Sequence, residues 1–405
     1  MTQRASPPIT PQMAEEAIAS ALASLPAESL ALALCIGRTL REDVYAERDN
    51  PPFDRVCMDG IAIDSAVFAR GARRYVVQAT QPAGVPALDL AGAEHAIEVM
   101  TGAILPRGAD CVIPMEEYDL SSGAVTLKAQ VAAGRYRNVQ RRGEDSRPGV
   151  PMLKAGTKLG APEIGVVASA GLPCVLVSRQ PDCMAISTGD ELIEPGEPIA
   201  EHQVRRSNAY VIAAALRAHG LERVSNDHLR DDERMLSDGL ARHLAARDVL
   251  ILSGGISKGK FDLVPQVLKS LGVREVFHYV AQQPGRPMWF GVGPRGQAVF
   301  GLPGNPVATL VCLMRYVVPA IESAMGTARP QPQRIALAAP VEFGRVTTRF
   351  LPVRTRSDAL GRLSAVPHRP NGPGDFLMLT GTDGFVELPP LEEYPAGVSG
   401  NLYRW

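Results

Sequence analysis

The 405-residue sequence lacks an excess of charge of either sign. It has 42 lysine and arginine residues against 43 aspartate and glutamate residues, with a net charge of -1 at pH 7. A chain so balanced produces no overall field that would recruit nucleic acid or an anionic membrane. Any site for an anion must therefore be built locally, from a few residues.

Paired cysteines and paired histidines are also missing. None of the six cysteines belongs to a C-x-x-C pair, and none of the seven histidines is followed by another four residues later. These absences argue against a disulfide framework, a zinc-finger site and a metalloprotease helix. Cys57 has no histidine or helix start beside it in the sequence, so we interpret it as structural.

Long apolar runs are absent as well. No stretch reaches the roughly 18 apolar residues that a transmembrane helix requires. The N-terminal stretch carries Glu15 and Glu16 among its apolar residues, unlike the continuous apolar segment of a secretory signal peptide. With its unpaired cysteines, the chain is expected to be soluble and cytoplasmic.

Shifts in composition divide the chain into four predicted regions. We predict a discontinuous helical and linking domain (1–50 with 139–172), a β-rich domain (51–138), an α/β domain (173–328) and a small C-terminal β domain (329–405). The apolar spacing between Thr10 and Leu40 predicts one or two helices, with Thr10 as the cap and Pro11 at the first helical position.

The third region alternates strands with helices. The apolar runs "CMAIS" and "DVLILS" predict buried strands, and the segment beginning "NPVATL" predicts a helix capped by Asn305. Such alternation predicts a mostly parallel sheet with helices on both faces, so the fold class is multidomain α/β plus β. Ligands of such sheets bind beyond the carboxyl ends of the strands, near helix N-termini.

Three loops follow predicted strands of this sheet: "STGDEL" at 187–192, "SGGISKGKFD" at 253–262 and "GLPGNP" at 301–306. The second has the G-x-x-x-x-G-K spacing of a nucleotide-binding loop, but Phe261 stands where Ser or Thr would hold Mg²⁺. Glycine backbones offer N–H groups to an anion, and Asp190, Glu191 and Asp262 offer oxygens to Mg²⁺. Together the loops predict a site for a phosphorylated ligand bridged by Mg²⁺. Taken singly, the first two also fit ordinary turns between a strand and a helix.

Two pairs in the β-rich region have the same ambiguity. Asp59-Gly60 and Thr101-Gly102 place an acceptor or a hydroxyl beside a flexible glycine, which suits ligand contact. Asp-Gly is also a common hairpin turn, and the local pattern alone favours the turn.

The order of these motifs identifies a family resemblance. From about Thr10 to the C-terminus, "MDG", "MTGA", "RRGEDS", "STGDEL", "SGGISKGKFD", "PGRP" and "GLPGNP" occur in the order seen in the molybdopterin molybdenumtransferase family, which includes the C-terminal domain of gephyrin. The resemblance implies an enzyme that takes adenylated molybdopterin, molybdate and Mg²⁺, inserts molybdenum and releases AMP. It also implies a homodimer with active sites shared between subunits, and a molybdopterin adenylyltransferase and molybdoenzymes as partners.

The resemblance also assigns roles to residues of these motifs. Catalytic roles go to six side chains, three of which would also hold Mg²⁺ (Glu191, Asp231 and Asp262). The six are Asp59, Thr101, Asp145, Glu191, Asp231 and Asp262. Together with the loop chemistry, substrate binding goes to Ser187, Thr188, Gly189, Asp190, Arg205, Gly254, Gly255, Ser257, Arg286, Pro303, Gly304, Asn305 and Pro306.

The chain departs from the family pattern at positions that would contact an anion. Tyr279 and Gln283 stand where the family commonly has lysines, and "VRRSN" replaces a more usual Tyr-Asp-Ser-Asn type sequence. We hypothesise that Arg205 or Arg206 replaces the missing lysine contacts. Two alternatives stay open: a molybdopterin adenylyltransferase, which shares only the α/β domain, and a non-catalytic molybdopterin carrier or scaffold.

Overall fold

The computed structural model describes residues 7–256, 263–328, 330–368, 372 and 375–405. Helix α1 (Pro11–Ala21) begins as predicted, since the Thr10 hydroxyl accepts a hydrogen bond from the Met13 amide at 3.2 Å. A second helix before Leu40 is wrong: Ala27–Ala31 forms strand β1, because it pairs antiparallel with residues 174–178. Two short strands follow, β2 (Val44–Tyr45) and β3 (Arg55–Val56).

The β-rich region forms one six-stranded sheet. Its elements are β4 (Gly60–Ile63), α2 (Ser65–Ala69), β5 (Arg74–Gln81), β6 (His95–Val99), β7 (Cys111–Pro114), β8 (Tyr118–Ser121) and β9 (Ala124–Leu127). The strand order is β7-β4-β6-β5-β9-β8. Strand β4 is buried along its whole length because β6 and β7 flank it on both edges. That central position fixes where the segment around Asp59, just before β4, can lie.

The chain then returns to the first segment. Strand β10 (Val139–Gln140) pairs with β3, strand β11 (Pro151–Leu153) pairs with β2, and α3 (Ala161–Ser169) follows. These pairings join residues that are distant in sequence, and they place the loop containing Asp145 beside the segment that precedes Asp59.

The α/β region contains the second six-stranded sheet. Its elements are β12 (Cys174–Ser178), β13 (Cys183–Thr188), β14 (Leu192–Ile193), β15 (Val204–Arg205), α4 (Asn208–Ala218), β16 (Val224–Leu229), α5 (Glu233–Ala246), β17 (Val249–Ser253), α6 (Val264–Ser270), β18 (Arg274–His278), β19 (Gln282–Gln283), β20 (Trp289–Val292), β21 (Ala298–Leu302), α7 (Pro306–Cys312) and α8 (Val318–Ala324). The order is β16-β13-β17-β21-β20-β18, and the first four strands run parallel. The predicted mostly parallel sheet is confirmed.

Strand β17 shows why the central strands are uniformly apolar. Val249 and Ile251 face a core formed with α1, α4 and the α7–α8 helix, whereas Leu250 and Leu252 face a second core formed with α5 and α6. Successive side chains of a strand point to opposite faces, so a strand covered on both faces needs apolar residues at every position. The central strands therefore offer backbone groups to a ligand at their ends.

A five-residue π-helical turn at Leu313–Val317 joins α7 to α8, so Pro306–Ala324 forms one 19-residue helix. Its length and its mean hydropathy of 1.5 would suit a membrane span. However, 78% of its most apolar 18-residue segment is buried inside the fold. That burial is typical of a core helix, and among the described residues it is the only helix that passes this test.

The C-terminal region forms a closed ring of strands. Its elements are β22 (Gln333–Leu337), β23 (Val341–Glu342), β24 (Thr348–Ser357), β25 (Leu363–Pro367), α9 (Phe376–Leu379), β26 (Gly384–Leu388), β27 (Glu393–Tyr394) and β28 (Ser399–Arg404). Strands β24, β25, β22, β28 and β26 pair successively, and β26 pairs again with β24. Strand β19 of the α/β region adds to β24, which ties the two regions together.

Candidate functional site

Three loops meet at the carboxyl ends of neighbouring parallel strands. In the register of the sheet, Ser187 of β13 lies opposite Ser253 of β17, and Ser253 lies opposite Leu302 of β21. The described parts of the loops that follow these strands line a cavity of about 360 Å³. Its lining residues come from all three loops, from β15 and the start of α4, and from the C-terminal region: Ser187, Thr188, Glu191, Leu192, Val204, Arg205, Arg206, Ser207, Asn208, Ser253, Gly254, Gly304, Pro306 and Phe376.

Glycine is required where the first two loops touch. Gly254 has a φ of +96°, and a Cβ atom there would lie 2.8 Å from the carbonyl oxygen of Thr188. Gly255 has a φ of +65°, and its Cβ would lie 2.9 Å from the hydroxyl of Thr188. Backbone conformation and close approach therefore both exclude a side chain. The glycine pair is therefore required by the close contact with Thr188 and is not simply a flexible turn.

A side-chain bridge connects the start of α4 to the third loop. The Asn208 amide donates from Nδ2 to the carbonyl oxygen of Gly304 at 2.9 Å. Beside it, the predicted cap of the long helix is confirmed, since the Asn305 side chain accepts from the Ala308 amide at 3.1 Å. The Pro303 carbonyl accepts from the Thr309 hydroxyl at 2.6 Å. Two helix N-termini thus lie at one cavity, where the positive ends of the helix dipoles favour an anion.

Several buried polar atoms in the cavity wall have no hydrogen-bond partner. The wall atoms that have no partner among the described residues are Ser187 Oγ, Thr188 Oγ1, Asn208 Oδ1 and the Nε and Nη1 atoms of Arg206. A buried polar atom without a partner is destabilising by about 1–3 kcal/mol, so such atoms are rare in folded proteins. Their concentration around one cavity is typical of a site that a polar ligand completes.

The structure places the two arginines of "VRRSN" differently. Arg205 is exposed, and its Nη1 donates to the carbonyl oxygens of Glu194 and Glu197 at 2.8 and 2.7 Å. Arg206 is only 6% exposed. Arg205 therefore holds the 194–197 loop at the cavity margin, whereas Arg206 is part of the cavity wall.

Two of the three predicted metal ligands, Glu191 and Asp231, lie at the same edge of the sheet. Glu191 is an exposed carboxylate beside Gly189, where an added Cβ would lie 2.5 Å from its Oε2. Asp231 is exposed just beyond β16, and Asp190 pairs with Arg230 at 3.3 Å. Asp262 and Ser257 lie outside the described residues. Within the described ranges, no three His, Cys, Asp or Glu side chains group as metal ligands. Glu191 and Asp231 supply the oxygen donors that Mg²⁺ prefers, so their chemistry fits the predicted cation.

His228 positions the first loop, a role that the sequence did not indicate for this residue. Its Nε2 lies 2.8 Å from the carbonyl oxygen of Gly189. The neighbouring Asp227 binds His243 at 2.6 Å. Burial raises the pKa of Asp227, but the bonds from His243 and from the His228 amide outweigh it and hold the pKa below its usual value. This carboxylate anchors β16 to α5.

Asp59 and Thr101 lie together on the β-rich sheet. The amide and the hydroxyl of Thr101 donate to Asp59 Oδ1 at 2.6 and 2.7 Å. The hydroxyl bond and then the amide bond lower the pKa of Asp59. Asp145 lies on the neighbouring loop, where its Oδ1 accepts from Gln140 at 2.7 Å. No cavity-lining residue comes from this domain.

Replacing the Thr101 hydroxyl should raise the pKa of Asp59. In Thr101→Val only the backbone bond survives, so we expect the pKa to move towards its ordinary value of about 3.9. Because the folded pKa is depressed, stability due to the charged form is present above the unfolded pKa and is lost as pH falls through the folded pKa. A ¹³C NMR titration of labelled aspartates measures the shift. Thr80→Val, which breaks the analogous 2.7 Å bond to Glu98, is the matched control and should leave Asp59 unchanged.

The segment with the lysine replacements lies outside the cavity lining. Tyr279 has a φ of +79° and stacks on His278 at 4.0 Å, and His278 Nε2 lies 2.8 Å from the carbonyl oxygen of Ile256. Gln283 pairs with Arg349 through β19 and β24. Arg286 is exposed on the following loop. These residues support the second loop and the junction with the C-terminal region.

Some cavity residues were not predicted from the sequence. Ser253 could have been found as the polar residue that ends the apolar run "VLILS". Phe376 could not, because it reaches the cavity from the C-terminal region and no local pattern indicates that approach.

Known protein families, relatives and solved structures match most of this chain. Three family models match: the MoeA N-terminal region (domain I and II) over residues 9–171, a probable molybdopterin binding domain over 184–323, and the MoeA C-terminal region (domain IV) over 334–399. A molybdopterin molybdenumtransferase of Synechocystis is 38% identical, covering 91% of this chain and 93% of the relative. One of Staphylococcus aureus is 29% identical, covering 94% and 92%. The crystal structure of a molybdopterin biosynthesis protein, moeA, from Pyrococcus horikoshii OT3 is 25% identical, with a TM-score of 0.82, covering 98% of this chain and all of the other.

Proposed function

The chain belongs to the molybdopterin molybdenumtransferase family, and from that premise we propose that it inserts molybdenum from molybdate into adenylated molybdopterin and releases AMP. As a family member it is a transferase of molybdenum cofactor synthesis. The observation that carries the finer proposal is the cavity at the sheet edge, whose wall contains two helix N-termini and buried polar atoms that have no partner among the described residues. Such a wall suits a phosphorylated small molecule, and 360 Å³ is within the usual range for one.

The proposed reaction needs no protein nucleophile. One molybdate oxygen attacks the phosphorus of the AMP moiety, and the bond from that phosphorus to the bridging oxygen breaks. The bridging oxygen leaves with the molybdopterin phosphate. The two dithiolene sulfurs then bind molybdenum, AMP leaves with the oxygen from molybdate, and the two thiol protons leave with a second oxygen as water. The described residues position these groups and stabilise charge, which is the main task of a phosphoryl-transfer site.

Mg²⁺ fits this scheme. Glu191 and Asp231 would hold the ion together with Asp262, which lies outside the described residues. When bound, the ion would neutralise charge on the pyrophosphate oxygens and make the molybdopterin phosphate a better leaving group. Gly254 and Gly255 keep the backbone close to Thr188, and so leave the space that the phosphate oxygens would occupy.

We further propose a homodimer in which each active site is shared. The Asp59–Thr101 pair lies on the β-rich sheet, and none of the residues lining the cavity belongs to that domain. A second copy related by two-fold symmetry would bring its own pair to the cavity. The same proposal places the enzyme in the cytoplasm, with a molybdopterin adenylyltransferase and molybdoenzymes as partners.

The reaction class is tested by its products. With adenylated molybdopterin, molybdate and Mg²⁺, we expect one AMP released per molybdenum inserted, measured by chromatography and metal analysis. With molybdopterin and ATP we expect no pyrophosphate. Pyrophosphate release would instead indicate an adenylyltransferase, and tight molybdopterin binding without turnover would indicate a carrier or scaffold.

A further inference from the structure

Arg206 is a buried cation of the cavity wall, and the described residues satisfy only part of its hydrogen-bonding capacity. An arginine side chain carries five N–H donors. The two on Nη2 reach Glu194 Oε2 at 2.5 Å and Asn226 Oδ1 at 3.1 Å. The three on Nε and Nη1 have no acceptor among the residues that the structure describes, although the side chain is only 7% exposed.

The carboxylate beside Arg206 does not satisfy the guanidinium. Glu194 is 40% exposed and also accepts a hydrogen bond from the Tyr210 hydroxyl. That hydroxyl bond and Arg206 lower the pKa of Glu194, so it stays ionised and holds the Nη2 end of Arg206 in place. Fixing one end of a planar guanidinium orients the remaining donors. Arg206 is thus preorganised to receive a second, anionic partner.

The surroundings of Arg206 specify the chemistry of that partner. The hydroxyls of Ser187 and Thr188 lie in the same wall, are 1% and 4% exposed as residues, and are likewise unpartnered within the described residues. Helix α4, of 11 residues, begins beside them. Hydroxyl donors, a helix N-terminus and a guanidinium are the groups that proteins use to bind phosphate. Glu191 is the carboxylate of the lining and lies at its exposed margin.

We propose that Arg206 is a phosphate-binding residue of this cavity, which contacts the phosphate attached to the pterin ligand. The identity of the pterin rests on the proposed function, whereas the anion subsite rests on the cavity itself. The cavity is much larger than a single tetrahedral ion, so an organic phosphate fits it better than free molybdate does. Arg205 is unsuited to this role, because its Nη1 is already committed to two backbone carbonyls.

A binding cycle tests the assignment without relying on turnover. Affinities of molybdopterin and of its dephosphorylated form are measured for the wild type and for Arg206→Met by fluorescence titration. We expect the substitution to weaken binding of the phosphorylated ligand by about 10- to 100-fold and to leave the dephosphorylated ligand within about threefold. Arg223→Met, which removes an exposed arginine that pairs with Asp182 at 2.7 Å at the opposite end of the strands, is the matched control and should change neither affinity by more than about threefold. Equal loss for both ligands, or no loss for either, would overturn the assignment.

Two further measurements distinguish loss of phosphate binding from poor folding and from loss of molybdate binding. Arg206→Lys keeps the charge but loses the planar fork, and it should show an intermediate, phosphate-dependent loss even if Arg206→Met folds poorly. Molybdate affinity, measured by calorimetry, should be the same in the wild type and both variants. Loss of molybdate binding with unchanged pterin binding would assign the subsite to molybdate and refute the phosphate role. A wild type that binds with this coupling but releases no AMP would contradict the proposed function and leave the subsite standing.

Discussion

Gly254→Ala should lower kcat/KM for AMP release by about 100-fold and the free energy of unfolding by about 3 kcal/mol. The added methyl group would lie 2.8 Å from the carbonyl oxygen and 3.0 Å from the hydroxyl of Thr188, at a backbone φ of +96°. Since the Thr188 carbonyl belongs to the backbone at the end of β13, it can move only by displacing the first loop. Steady-state kinetics and urea denaturation measure the two effects.

Gly296→Ala separates the clash from the backbone strain. Gly296 has a similar φ of +85°, but an added Cβ there meets nothing within 4 Å. We expect this variant to lose about 1 kcal/mol of stability, from the left-handed backbone alone, and to keep its activity. Equal effects of the two variants would show that the contact between Gly254 and Thr188 has no special importance.

Glu387→Ala should be the most destabilising change outside the cavity, by about 3–5 kcal/mol. Glu387 accepts from Arg315 Nε at 2.9 Å and from the Tyr403 hydroxyl at 3.0 Å, and its side chain is 17% exposed. Arg315 is 5% exposed in the middle of the long core helix. Burial alone would lower the pKa of Arg315, but the surrounding groups, with Glu387 the largest contributor among them, together outweigh burial and keep the pKa above its usual value. Removing this carboxylate therefore leaves a buried cation poorly compensated.

Glu15→Ala is the matched control at the same arginine. Glu15 accepts from Arg315 Nη1 at 2.8 Å, but its side chain is 38% exposed. Water can replace an exposed partner, so we expect a loss of at most about 1 kcal/mol. Urea denaturation of both variants tests the contrast. Similar losses would mean that burial does not govern this network.

The edge of the sheet that carries the site was predictable because local sequence patterns indicate each of its strands and loops. The central strands are uninterrupted apolar runs, and each is followed by glycine, proline or a capping residue such as Asn305. The segment after Pro26 was not predictable in this way. Its apolar spacing fits a helix, but antiparallel pairing with residues 174–178 makes it a strand, and that partner is distant in sequence.

The side-chain arrangement of the site depended on tertiary contacts. "VRRSN" contains two adjacent arginines with nothing in the local pattern to distinguish them, whereas in the fold Arg206 is buried and binds Glu194 and Asn226. In the sequence, the local pattern at Asp59-Gly60 favoured a hairpin turn over ligand contact. Asp59 and Thr101 meet across 42 residues because β4 pairs with β6, and local patterns do not encode such pairings.

Mixing two inactive variants tests the shared site most directly. Asp59→Asn alters the β-rich domain and Glu191→Gln alters the cavity margin, and each alone should lose at least about 100-fold in AMP release. After dissociation and random reassociation, about half of the dimers carry one variant of each kind, and one of the two sites in each such dimer is unaltered. The mixture should therefore recover about a quarter of the wild-type rate. A mixture that stays as inactive as its parents would contradict an active site built from the cavity of one subunit and the Asp59–Thr101 pair of the other.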